Sequence, residues 1–203
     1  MLILASISPR RRDLLREAGL QFEIVSPVVD ESESAALSMG ELTLFNATRK
    51  AAAVSRLHPQ AIVIGADTLV ALDGEIISKP RHLDEAAEML RNFSGREHQV
   101  CTSVHIRSAN RRENFSVFSH VRFHSLGEKQ IRDYLERIGP LDKAGGYAAQ
   151  GEGAEIIRGI RGSYTNVIGL PMDETLDALA RYFGIVRQQI SSLLPSGSSK
   201  KNA

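Results

Sequence analysis

The chain opens on four consecutive apolar residues, Leu2-Ile3-Leu4-Ala5, which have the length and character of a buried strand. The period then changes. Across residues 9–18 Leu14, Leu15 and Ala18 form a helical stripe that Gly19 ends, and Phe22-Glu23-Ile24-Val25 returns to strand. A polar loop with Asp30 and Glu31 follows, after which Ser38 and Glu41 stand at capping-box spacing and predict a long helix to about Leu57. Residues 61–66 are a continuous apolar run of strand length with Asp67 at its end, and Asp73-Gly74 between apolar residues signals a hairpin. Helical spacing recurs over residues 84–93, with Gly95 just beyond. Residues 98–107 and 113–124 lean toward strand on either side of the turn Ser108-Ala109-Asn110-Arg111, which predicts an antiparallel hairpin. Ser125 and Glu128 repeat the capping-box spacing ahead of Ile131, Tyr134, Leu135 and Ile138. A glycine-rich loop, a strand over residues 154–160 and a proline-led helix over residues 171–183, closed by Gly184, complete the pattern.

Strands alternating with helices and interrupted by a hairpin predict an α/β fold, a mixed sheet flanked by helices. With 203 residues and 42% hydrophobic content the chain can bury a full core, so residues 1–195 are expected to form one α/β domain, at most two-lobed. Residues 196–203 offer nothing to bury and are expected to be a disordered tail. A formal charge of +1 and 5% aromatic content argue against nucleic acid as a partner and confine any electropositive site to a local pocket. Cys101 is the single cysteine, so neither a disulfide framework nor a thiolate metal cluster is available, and the reducing cytoplasm is the expected location. No stretch approaches the roughly 20 apolar residues that cross a bilayer, so no membrane partner is expected.

The junction Ser6-Ile7-Ser8-Pro9-Arg10-Arg11 carries the first candidate chemistry. Helix N-terminal N–H groups lack intrahelical partners and attract anions, Pro9 suits the first helical position, and two guanidinium groups match phosphate oxygens. Ordinary solvated arginines at a helix start are the competing reading. Asp67 follows a buried apolar run, a placement that tunes acids toward base or metal-ligand roles. Asp30 and Glu31 could hold a hard cation such as Mg²⁺, which takes one or two carboxylates plus phosphate oxygens, although adjacent loop acids are more often only solvated. Ligands in open α/β sheets sit beyond the carboxyl ends of strands, which would gather Ser8, Arg10, Arg11 and Asp67 into one crevice. Lys50 and Lys79 gain interest only if they converge on the same place. The run from Asp142 to Gly151 contains glycines that permit close backbone approach and Gln150, whose amide can pair with a base edge. P-loop, dinucleotide and nucleophile-elbow motifs are missing, and His120 with His124 lacks a third ligand.

In order along the chain, Leu4-Ala5-Ser6-Ile7-Ser8-Pro9-Arg10-Arg11, Asp30-Glu31, Lys50-Ala51, Gly65-Ala66-Asp67-Thr68, Lys79-Pro80, Asp142-Lys143-Ala144-Gly145, Gln150-Gly151, Gly162-Ser163-Tyr164-Thr165-Asn166-Val167 and Gly169-Leu170-Pro171 resemble the Maf family of nucleoside triphosphate pyrophosphatases. The resemblance covers nearly the whole sequence. It implies a two-lobed α/β fold with a central cleft, similar to inosine triphosphate pyrophosphatases, and hydrolysis of the α–β phosphate bond with a divalent cation, Mg²⁺ or Mn²⁺. By this likeness Asp67 activates water, Ser8, Arg11, Lys50 and Lys79 hold phosphates, and Glu31 with Asp67 approaches the metal. Arg10, Thr68 and Gln150 match the branch that acts on dTTP and UTP, whereas the 7-methyl-GTP branch tends to carry tryptophan, glutamine and glutamate there. A homodimer is also implied. A methylated-purine substrate, or a nucleotide-sensing role in cell division, are the other readings that the resemblance leaves open.

Overall fold

The computed structural model describes residues 1–186, so the expected disordered tail lies outside the described residues. Seven strands form one mixed sheet: β1 (Leu2–Ala5), β2 (Glu23–Ile24), β3 (Ile62–Leu72), β4 (Glu75–Ile77), β5 (Glu97–Arg107), β6 (Arg112–Phe123) and β7 (Ile157–Arg161). Their order is β2-β1-β3-β5-β6-β7, with β4 folded back on β3. Pairing is parallel through β2, β1 and β3, then antiparallel through β5, β6 and β7. The helices are α1 (Pro9–Glu17), α2 (Met39–Leu57), α3 (Leu83–Phe93), α4 (Glu128–Ile138), α5 (Tyr164–Ile168) and α6 (Met172–Phe183).

The alternation of side chains along β3 and β5 divides the core between the two sheet faces. On one face Leu2, Leu4, Ile64, Val104 and Ile106 pack with Leu14, Leu15, Leu170 and Leu179. Farther along the same strands Val70 and Val100 join a second cluster with Leu90, Phe93, Phe123, Ile131 and Tyr134. The opposite face of β1 and β3 is covered by α2, where Ile3, Ala5 and Val63 meet Ala51 and Val54. That helix approaches closely because residue 65 is glycine: a Cβ there would lie 2.3 Å from the Ala47 carbonyl oxygen.

Four expectations need correction. β3 does not end at Asp67 but runs on to Leu72, because β5 pairs with it from Val63 to Ala71. Asp67 is therefore a mid-strand residue. Ser38 and Glu41 form a complete capping box, but α4 starts at Glu128 behind Gly127 with no side-chain cap. This stretch is tied to α3 and its end instead: Leu126 N–H donates to Ser94 Oγ at 2.7 Å, and Glu128 pairs with Arg91 of α3 at 2.8 Å. The strand expected over residues 154–160 begins only at Ile157, since Gly151–Ile156 winds as 3-10 turns. Finally, Pro171 is the cap of α6 instead of its first residue, and α5 was not anticipated.

Candidate active site

One edge of β3 is paired with β1 only as far as Gly65 and with β4 only from Val70 onward. Between them residues 66–69 face a gap in the sheet, and this gap is the floor of a cleft of about 980 Å³. Ser8, Arg10, Arg11, Glu31, Lys50, Asp67, Thr68, Lys79 and Gln150 all line it, so every candidate site residue except Asp30 converges there. Asp30 is exposed and does not line the cleft.

Asp67 is 5% exposed, and α2 supplies its partners from above. Lys50 Nζ donates to Asp67 Oδ1 at 2.7 Å and lies 2.5 Å from Glu31 Oε1, so one buried ammonium holds two carboxylates. Asn46, one helical turn before Lys50, donates to Asp67 Oδ2 at 3.4 Å and clasps the incoming loop through Ser32 N–H at 2.8 Å and Ser32 O at 3.1 Å. That clasp delivers Glu31 to the site, a role nothing in the local sequence announces. Burial acts to raise the Glu31 pKa, but the Lys50 hydrogen bond and the charges of Lys50, Lys79 and Arg11 outweigh it and hold the value below the usual glutamate range.

The α1 N-terminus closes the other wall. Ser8 caps the helix by accepting from Arg11 N–H at 3.5 Å, which leaves its hydroxyl hydrogen available to a ligand. Arg11 is 9% exposed and has no ion-pair partner among the described residues. Its Nε–H donates to Gly169 O at 2.7 Å, and its terminal nitrogens donate to Ser6 Oγ at 3.3 Å and Thr68 Oγ1 at 2.9 Å. A guanidinium has five N–H donors, so two stay free of these partners. Burial lowers the Arg11 pKa from the ordinary arginine value, Asp67 and Glu31 oppose this, and Arg10 adds to it.

Thr68 belongs to a buried chain of hydroxyls with a fixed direction. Thr102 Oγ1 donates its single hydrogen to Asn166 O at 2.9 Å, so in the 2.9 Å contact between Thr68 and Thr102 it is Thr68 that donates. Thr68 thus spends its hydrogen on Thr102 and accepts from Arg11. Asn166, fully buried, fixes this chain by bridging β5 as a peptide group would: Thr102 N–H donates to its Oδ1 at 3.0 Å, and its Nδ2 donates to Val100 O at 3.2 Å. The short helix α5, capped by Ser163 and ended at Gly169, carries both Asn166 and the Gly169 acceptor of Arg11.

At the mouth, Arg10 reaches 132 residues along the chain to Asp142 at 3.1 Å, and Asp142 also pairs with Lys143. Gln150 is half-buried and follows Ala149, whose carbonyl accepts from Tyr164 Oη at 3.0 Å. Behind it Tyr134 Oη donates to Gly153 O at 3.1 Å and accepts from Ala148 N–H at 3.1 Å, which pins the loop. Lys79 stands exposed on the rim.

Glu31 and Asp67, drawn together by their shared Lys50, are the carboxylates that could hold a hard cation whose other ligands come from phosphate oxygens. Among the described residues no three His, Cys, Asp or Glu side chains gather to hold a metal ion.

The sheet thus opens at its central strand, with a capped helix start on one wall and a lysine-bridged carboxylate pair on the floor. The chain belongs to the Maf family, whose model of Maf-like proteins matches residues 1–182. It is 49% identical over 177 residues to a dTTP/UTP pyrophosphatase of Akkermansia muciniphila, covering 87% of this chain and 94% of that protein. It is 45% identical over 184 residues to the dTTP/UTP pyrophosphatase of Bacillus pumilus, covering 91% and 97%. Among solved structures it is similar to the Staphylococcus aureus Ham1 protein, with a TM-score of 0.43 and 14% identity over 77% of this chain and 79% of that one.

Proposed function

We propose that the protein is a nucleoside triphosphate pyrophosphatase that hydrolyses the α–β bond of dTTP and UTP, releasing the monophosphate and pyrophosphate. The observation that carries this reading is Arg11, a buried guanidinium without a counter-ion, set across the cleft floor from a lysine-bound carboxylate pair. Such an arrangement lacks only a multiply charged anion. The likeness to the two pyrophosphatases supports the choice of reaction and of pyrimidine substrates.

Attack on phosphorus builds charge on the phosphoryl oxygens and the leaving pyrophosphate, so positioned cations matter more than a covalent nucleophile. Arg11 offers its two free N–H groups, Ser8 its hydroxyl, and Lys50 and Lys79 their ammonium charges. Asp67 accepts the proton of the attacking water, and Lys50 and Asn46 fix its orientation. Glu31 and Asp67 would hold a divalent cation, which would supply neutralising charge and lower the pKa of a nearby water. Gln150 satisfies the O4 and N3–H edge of uracil or thymine, since an amide both donates and accepts. Arg10 borders the base from the opposite rim, and Thr68 acts through Arg11. The proposal places the enzyme in the cytoplasm, as a homodimer, in nucleotide-pool cleansing.

Product analysis tests this directly. Purified protein with Mg²⁺ or Mn²⁺ is expected to convert UTP and dTTP to monophosphate and pyrophosphate. Asp67→Asn is expected to lower kcat by about 10²–10⁴-fold while circular dichroism is unchanged. Orthophosphate as the product would reassign the bond, and a strong preference for 7-methyl-GTP in the same panel would reassign the base.

A further inference from the structure

Away from the cleft, β5 and β6 place Arg107 directly opposite Arg112 on one sheet face, a like-charge pairing that is normally destabilising. Two residues back on the same face of β5 stands His105, 5% exposed. Thr48 of α2 lies 3.3 Å from its Nδ1. Which partner donates in that contact depends on the imidazole tautomer, and in either tautomer the second ring nitrogen needs a partner of its own. The buried Nε2 of His105 has no hydrogen-bond partner among the described residues, and neither has the buried Nε–H of Arg107. Arg56, further along α2, adds its charge to those of Arg107 and Arg112. None of these three arginines makes an ion pair among the described residues, and the sequence after residue 186 contains no Asp or Glu. This flank presents a buried guanidinium donor, an unpartnered imidazole nitrogen and three positive charges, with no ion-pair partner among the described residues to receive them. A buried donor left without an acceptor is costly, so the partner that Arg107 lacks is an acceptor, and the surrounding charge makes it an anion.

We infer that the flank between α2 and the β5–β6 hairpin, built from Arg56, His105, Arg107 and Arg112, is a second anion site that takes a polyphosphate group, either free pyrophosphate or the phosphates of a nucleotide. Arg112 and Arg56 are exposed and supply entry and charge, while the half-buried Arg107 provides a fixed donor at its base with His105 beside it. The site is separate from the cleft, because none of these four residues lines the latter.

Binding is read at His105 itself. No histidine lines the cleft, so a nitrogen-15 shift of this imidazole reports the flank and not the catalytic centre. Titrating the full chain with inorganic pyrophosphate, and separately with α,β-methylene-UTP, is expected to move the His105 Nε2 resonance saturably at concentrations below about 1 mM. Movement with both probes assigns recognition to the phosphates, and movement with the analogue alone assigns it to a nucleotide. Arg112→Gln and Arg56→Gln, both at exposed positions, are expected to weaken the titration by about tenfold or more while UTP turnover stays at the parent rate. No saturable shift with either probe, or an unchanged titration in Arg112→Gln, overturns the inference. Because turnover is recorded in parallel, failure of the catalytic reading and failure of this one are told apart.

Discussion

Lys50 is the residue on which the catalytic floor balances, since it is 7% exposed and neutralises Asp67 and Glu31 together. Replacing it with methionine strands a buried carboxylate, and the expected loss is about 3 kcal/mol in urea unfolding, most of which Lys50→Met/Asp67→Asn regains because no uncompensated charge is left on Asp67. Thr68 gives a sharper test. With its hydrogen committed to Thr102, Thr68→Val removes an acceptor from Arg11 but no donor from the base pocket. KM for UTP and dTTP is therefore expected to rise about tenfold together, with Thr68→Ser restoring it, and a changed ratio between pyrimidine and purine substrates would contradict this assignment. Arg10→Trp, by contrast, is expected to change base preference more than Arg11→Ala does. Asp67, Lys50 and Arg11 are legible from sequence as charged residues at element junctions or in a recognisable motif set. Asn46 and Thr102 are not, and Asn166 stands in the motif set without its role, because their partners lie 14 to 66 residues away and only the fold brings them together.

At the scale of elements, the two capping-box spacings show what local pattern can and cannot decide. Ser38 has no competing partner and forms the box, so Ser38→Ala is expected to cost about 1 kcal/mol. Ser125 has the same spacing, but Leu126 is claimed by the α3–β5 turn and Glu128 by Arg91, so tertiary contacts move the helix start two residues on. The extent of β3 was illegible for a similar reason. An acid after an apolar run reads as a strand end, whereas β5 supplies pairing on through Asp67 and beyond. The contact between α2 and β3 is the element-level determinant of catalysis. Gly65→Ala pushes a Cβ into the Ala47 carbonyl, and is expected to cost about 3 kcal/mol and to lower kcat by displacing Lys50 and Asn46 from Asp67. A crystal or solution structure of the variant with α2 in place and turnover intact would contradict it.

The whole molecule carries two buried neutral imidazoles. His98 sits among Phe93, Phe123 and Tyr147, its Nε2 2.8 Å from Tyr147 Oη, and burial lowers its pKa to about 3. His105 is lowered to about 4 by burial and by Arg107 and Arg112. Below the ordinary histidine value the unfolded chain binds protons that the native one refuses, so stability is lost as pH falls from about 6.5 toward these values. Each contributes about 1.4 kcal/mol per pH unit in that window, and His98→Gln is expected to halve the two-histidine slope of urea stability between about pH 6 and pH 4. Glu31 acts lower down: its depressed pKa stabilises the fold above the ordinary glutamate value and is lost as pH falls through the native one. The α/β class was legible in the alternating periods, while the cleft was not, because a gap between two strands that pair at different heights on a third has no local sequence mark. That gap also bears on how activity appears in time. The strand that carries Asp67 is bordered by β1 from the start of the chain and by β5 from its middle, and α5 must then arrive from near residue 166 to set Arg11. No partial chain can hold the site together, so on dilution from denaturant, turnover is expected to return with the slowest phase of folding and never ahead of it, which makes catalysis itself a reporter of the last native contacts.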